Sequence, residues 1–309
     1  MTQTTKGEHT MKHIWQLGVL LVLTIFTVTA AGGSGPATIK VGSKDFTEEF
    51  ILAEMYSLLL ENAGFKVERK FNLGGTPIAH AALLKGDIDL YPEYTSTGLL
   101  EVLKLQPIAD AKKVVATVRQ GYQEKFKLVW LDPAPFNDTQ ALATTKEVAA
   151  KYGIKTYSDL AVKAPQLRLG GPAEFAERSD GIKGLQKAYG GFQFKEFKQL
   201  GTGSLRYQAL TAGQIDVVVA FGTDGQLSGL GLVLLKDDKG FYPVYQAAPV
   251  VRADTLKKNP KLAATLNKLA PLLTDSIMAG LNWKVDGPEK QEYAAVAKAF
   301  LIEKKLLKK

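Results

Sequence analysis

The sequence predicts an α/β protein of two hinged lobes, each a mixed, mostly parallel sheet flanked by helices. Three observations carry the prediction. Strand, helix, strand, helix and strand follow one another over residues 38–90, an order that requires crossover connections and parallel strands. The alternation restarts after a Pro-rich passage at residues 132–138. Finally, one segment returns later in the chain. Gly86-Asp87-Ile88-Asp89 is echoed by Gly213-Gln214-Ile215-Asp216, each after a helix-like run and each leading into a short apolar strand. Both copies place an aromatic residue eight positions after the first Gly (Tyr94, Phe221) and a polar residue eleven after it (Thr97, Asp224).

Taken in order, residues 38–42 read as a buried strand entering a Gly turn. Residues 46–60 carry apolar side chains at 46, 50, 51, 55, 58 and 59, one face of a helix, and Gly64 stops it. Residues 66–71 alternate as a strand. Thr76 is expected to cap a second helix with Pro77 in its first turn, and strand 88–90 follows. A less regular strand near 126–131 leads into the 132–138 hinge. Beyond it come a helix capped by Ser158, strand 166–169, helix 181–189, strand 194–198, a helix after Gly203-Ser204 and strand 215–220. Residues 241–245 bring the chain back across the hinge. Helices at 259–273 and 292–302 pack on the first lobe. Lobe I is thus residues 38–137 with 244–309, and lobe II is 138–243.

Residues 1–30 read as a secretory leader. Lys12 precedes an apolar run from Ile14 to Val28, too short to span a bilayer comfortably, and Val28-Thr29-Ala30 offers small residues for cleavage. Either Met1 or Met11 serves as the start. Cleavage removes Lys6, Lys12 and Glu8 and lowers the net charge from +8 to +7. The remaining Lys and Arg are interspersed with Asp and Glu, with no basic stripe, so a solvated surface is expected rather than a nucleic-acid partner.

The chain has no cysteine, and His80 is the one histidine after the leader. Thiol nucleophiles are excluded, Ser-His-Asp machinery would have to use His80, and a transition-metal site is poorly supplied. No phosphate-loop or dinucleotide motif is present. The residues favour a ligand held between two half-sites, without chemistry, metal or cofactor. An enzyme with His80 as general base is the alternative of a different class.

At this point a resemblance emerges. Gly42-Ser43-Lys44-Asp45-Phe46-Thr47-Glu48-Glu49, Leu73-Gly74-Gly75-Thr76, Asp89-Leu90-Tyr91-Pro92-Glu93-Tyr94-Thr95-Ser96-Thr97-Gly98 and Thr223-Asp224-Gly225 stand in one order. Together they resemble the substrate-binding proteins of the glycine betaine/carnitine/choline (osmoprotectant) ABC importers, over residues 38–302. The resemblance implies the type II periplasmic binding-protein fold, a monomer free in the periplasm, a quaternary ammonium ligand in the inter-lobe cleft, and an inner-membrane ABC permease as partner.

It also implies a site. A trimethylammonium head offers no hydrogen bond and needs π-faces; its carboxylate needs Arg, Lys or hydroxyl donors. By motif, Lys44, Thr97 and Arg178 match carboxylate-holding positions, and Tyr94, Phe221 and Tyr245 match the aromatic cage. Asn137, Asp138 and Gln140 lie in the segment where relatives carry another aromatic; here that place is taken by Gln140, which suits a more polar ligand, such as an amino-acid betaine. Some alternatives stay open: Tyr242 could be the inward ring in place of Tyr245, and Arg178 could pair with Asp180 or Glu177. Tyr91 is expected beneath the site and Asp224 as a helix cap.

Overall fold

The computed structural model describes residues 38–308, so the expected leader lies outside the described residues. Ten strands form two five-stranded sheets. The first holds β1 (Thr38–Gly42), β2 (Lys66–Lys70), β3 (Leu90–Tyr94), β4 (Leu128–Trp130) and β10 (Ala247–Arg252), in the order β2-β1-β3-β10-β4. The second holds β5 (Gln140–Thr144), β6 (Arg168–Gly171), β7 (Glu196–Gln199), β8 (Val217–Phe221) and β9 (Val233–Leu234), in the order β7-β6-β8-β5-β9. The two orders have the same plan: three parallel strands joined by helices, then an antiparallel strand beside the third. The chain passes from the first sheet to the second between Trp130 and Gln140, and returns between Leu234 and Ala247.

The repeated Gly-x-Ile-Asp has one structural cause in both sheets. Gly86 (φ 80°) and Gly213 (φ 66°) take the left-handed conformation that ends the preceding helix, which costs glycine least. Ile88 and Ile215 are buried. The Asp side chains then lock strand to strand: Asp89 accepts from the Lys40 backbone N–H at 2.8 Å, and Asp216 accepts from that of Arg168 at 2.9 Å. The repeat is therefore a device for docking β3 on β1 and β8 on β6, which leaves Tyr94 and Phe221 as the last residues of equivalent strands.

The cores follow from side-chain alternation. Along β8, Val217 and Val219 face a cluster with Leu142, Leu169 and Phe175, while Val218 and Ala220 face another with Tyr207 and Leu210. The larger core surrounds the first sheet and takes in the C-terminal helices. Helix Thr47–Asn62 packs there against helices Asp275–Asp286 and Tyr293–Glu303.

Several expectations need correction. Gly75, not Thr76, is the N-cap of helix Thr76–Lys85, because no side-chain oxygen turns back to its free N–H groups. Helix Tyr157–Lys163 is capped by Thr156 in a reciprocal box with Asp159, while Ser158 lies inside the helix and donates to Asp238. Strand β3 begins where the expected strand ended, at Leu90. Strands β5 and β10 and helix Asp275–Asp286 were not anticipated. In β10, Pro249 stands opposite Pro92 of β3, a pair tolerated because alternate antiparallel positions exchange no hydrogen bonds.

Candidate functional site

Between elements of the two sheets lies a cavity lined by eight of the nine residues singled out from the sequence: Lys44, Tyr94, Thr97, Asp138, Gln140, Arg178, Phe221 and Tyr245. Strand ends place them there. Tyr94 closes β3, Phe221 closes β8, and Gln140 opens β5 directly across the ladder from Phe221. Thr97 sits one turn beyond Tyr94 and is buried.

Asn137 is not part of the lining. Its side-chain oxygen accepts from the Tyr245 backbone N–H at 2.8 Å, and its own N–H donates to Asp275 at 2.7 Å. It thus ties the two crossing segments together and positions Tyr245.

A ring not anticipated at the site completes an aromatic row. Phe46, read from the sequence as part of a helix's apolar face, is the extended N-cap residue of helix Thr47–Asn62. It stacks on Tyr94 (centroids 6.1 Å apart, planes at 29°) and on Phe221 (6.0 Å, 23°), joining rings from the two sheets. The available signal was its position just after the β1 turn, on the side where strand ends and helix N-termini converge. The Arg206 guanidinium lies 5.0 Å from the Phe221 ring centroid, and the Lys44 ammonium 4.6 Å from that of Tyr94. Asp224 is no helix cap: it binds Arg206, the Tyr207 hydroxyl and the Phe221 N–H.

The cationic side of the cavity is organised by acids. Asp180 is the hub. Its Oδ1 accepts from Arg178 Nε at 2.6 Å, and its Oδ2 from Arg178 Nη2 at 2.6 Å, from Gln140 Nε2 at 2.7 Å and from the Tyr245 hydroxyl. Burial opposes its charge, but Arg178, Tyr245 and Gln140 outweigh burial and hold the carboxyl below its ordinary range. Arg178 therefore takes Asp180 as its partner, and Glu177 binds Lys183 instead. Tyr245 is the cavity ring; Tyr242 packs at the edge of Tyr157 and Phe241 in the second core. Lys44 is buried and donates to Glu93 at 2.7 Å. Desolvation works against its charge, yet Glu93 and Glu49 prevail and raise its pKa. Tyr91 donates to the same Glu93 from below, as expected.

Behind the aromatic row is a second buried cluster. Glu48 Oε1 accepts from the Tyr94 hydroxyl at 2.8 Å, and its Oε2 from Asn282 at 2.8 Å. The Thr223 hydroxyl lies 2.5 Å from Glu48 Oε2 and 2.6 Å from Asp138 Oδ1. One hydroxyl hydrogen cannot serve two carboxylates, so a carboxyl here carries the second proton. Burial raises Glu48 to about 7 and, together with Glu48 and Asp224, pushes Asp138 well above the ordinary carboxylate range.

His80 stands apart, edge-on to Tyr122 and Phe126, with its pKa lowered by burial. It does not line the cavity. Among the described residues there is no group of three or more His, Asp or Glu suited to a metal ion, and no helix long and apolar enough to cross a membrane.

Two matching α/β halves with a ring-lined cavity between them define the class of two-lobed solute-binding proteins. Residues 37–303 match the family described as the substrate binding domain of ABC-type glycine betaine transport system, and the chain belongs to that family. It is a family of transport proteins and not of enzymes. The chain is 40% identical over 262 residues to a Helicobacter pylori (strain G27) protein named ergothioneine transport permease/ergothioneine binding protein EgtU, covering 84% of this chain and 46% of that one. It thus spans about half the length of that relative. It is 37% identical over 284 residues to the carnitine transport binding protein OpuCC of Listeria monocytogenes serotype 1/2a (strain 10403S), covering 91% of each. A solved glycine betaine/carnitine/choline ABC transporter structure superimposes with a TM-score of 0.69 at 36% identity, covering 87% of this chain and 99% of that one. The fold is the two-lobed α/β architecture of type II periplasmic binding proteins.

Proposed function

We propose that this protein captures a betaine-type quaternary ammonium solute in the cavity between its halves and hands it to an ABC permease. The observation that carries the reading is the row Tyr94–Phe46–Phe221, with rings from both sheets lining one cavity with Arg178, itself paired to Asp180. Each desolvated ring face contributes about 0.5–2 kcal/mol toward a trimethylammonium head. Arg178 uses Nε and one Nη2 hydrogen on Asp180, which leaves Nη1 for a ligand carboxylate. Lys44, beside the Tyr94 ring, and Thr97 line the same cavity as further donors.

On this reading residues 38–137 with 244–309 and residues 138–243 are the two rigid bodies, and the crossings near Asn137 and Pro243 are the hinge. The mature protein is a periplasmic monomer released from residues 1–30, with no affinity for nucleic acid. The relatives named for carnitine and for ergothioneine, both trimethylammonium betaines, support the ligand class.

Isothermal calorimetry of the mature protein against glycine betaine, proline betaine, carnitine, choline and ergothioneine tests it. Saturable binding at micromolar concentration or below by at least one is expected. Folded protein that binds none of them would reject the ligand class.

A further inference from the structure

Gln140 occupies a cavity position at the edge of the aromatic row, and its amide cannot turn freely. Asp180 is ionised and accepts hydrogen bonds only, so the Gln140 NH2 must face it, as the 2.7 Å contact records. The amide oxygen is thereby directed away from Asp180. Among the described residues no donor reaches that oxygen, and it is not among the fully buried unpartnered atoms, although Gln140 as a whole is only 6% exposed. The free surface adjoining Gln140 is the cavity. Register sets Gln140 directly across the ladder from Phe221, so the two side chains share one face of the sheet, where the onium head is expected.

Resting on the reading above, we infer that the preferred solute is a betaine bearing its own O–H or N–H donor, which the Gln140 carbonyl accepts. A glycine betaine molecule has no donor and would leave that oxygen dry and unpaired, a recognised source of discrimination. A hydroxyl on the chain between onium and carboxylate, or a ring N–H on an amino-acid betaine, would meet it. Gln140 is then a selectivity residue acting as acceptor, where an aromatic residue would only add a ring face.

Matched ligand pairs test this by calorimetry on the mature protein. Carnitine and γ-butyrobetaine differ only in a hydroxyl. Trimethylhistidine carries an imidazole with an N–H where trimethylphenylalanine carries a phenyl ring with no donor. At least one donor-bearing member is expected to bind about tenfold or more tightly than its partner. In Gln140→Met the advantage should fall to within about twofold, because the side chain keeps its length and loses its acceptor; the amide donor to Asp180 is lost too, but that affects both members of a pair alike. Binding of betaines with equal affinity within both pairs would overturn the inference while leaving the ligand class intact. An advantage that survives in Gln140→Met would also overturn it. Binding of glycine betaine, proline betaine or choline but of none of these four would overturn the inference and leave the ligand class standing, whereas failure of the four and of the whole earlier panel would remove both.

Discussion

Glu48→Gln offers the sharpest test of the electrostatics behind the aromatic row. Glu48 is buried among Tyr94, Thr223 and Asn282, and burial lifts its carboxyl from 4.5 to about 7. A group with a raised folded-state pKa contributes stability that is fully present below pH 4.5 and is lost as the pH climbs through 7. The difference between those two values ties about 3 kcal/mol to the Glu48 proton. Gln is a neutral isostere: its oxygen can accept from Thr223 and Asn282 while its NH2 meets the Tyr94 hydroxyl. It should behave as a carboxyl that never ionises. Urea unfolding followed by tryptophan fluorescence at pH 5, 6, 7 and 8 supplies the measurement. The stability of the variant minus that of the native protein should rise by about 2.5 kcal/mol from pH 5 to pH 8. Glu49, lifted to about 8 by burial, titrates in both proteins and cancels in the difference, whereas Asp138, which the Glu48 charge helps to raise, is shifted less in the variant and adds to the rise. Parallel profiles would refute the raised Glu48 carboxyl and leave Asp138 as the group that carries the second proton beside Thr223.

Two substitutions probe the cavity itself. Phe46→Ala removes the ring that joins Tyr94 to Phe221 and should weaken onium ligands by about two- to thirtyfold, the range of one ring face; calorimetric affinity unchanged within twofold would deny Phe46 a share in the site. Arg178→Ala should lower affinity for γ-butyrobetaine, which carries a carboxylate, at least tenfold more than for choline, which has none, taking a charged hydrogen bond at about 1.5–3 kcal/mol. Equal losses for the two ligands would assign Arg178 to holding Asp180 rather than the solute.

The duplicated halves were legible in the sequence because Gly-x-Ile-Asp is a local construction whose residues each have one mechanical task. Asp89 and Asp216 bind the neighbouring strand's backbone within their own half, so spacing alone revealed them. Phe46 was misplaced because an N-cap aromatic continues the helical period of the residues after it, and periodicity does not register that the cap is extended. Strand β10 was hidden by Pro249, which a central strand tolerates only opposite a non-bonded position, here Pro92. Strand β5 has little β-branched character and gains its place from pairing with β8, a contact some 75 residues distant in sequence. Arg178's choice of Asp180 over Glu177 depended on burial, which a sequence does not display.

The fourfold satisfaction of Asp180 also bears on how this protein can change its taste in ligands. Arg178, Gln140 and Tyr245 are anchored to one carboxylate, so a replacement at any one of them changes the hydrogen bonding that the other two share. Effects of substitutions at these positions should be strongly non-additive. An aromatic residue introduced at position 140 would vacate an acceptor site on Asp180 and leave Arg178 and Tyr245 as its remaining donors. Evolutionary routes between a ring and an amide at this place are therefore favoured by paired changes, and libraries that vary position 140 together with positions 178 and 245 sample more of them than libraries that vary 140 alone.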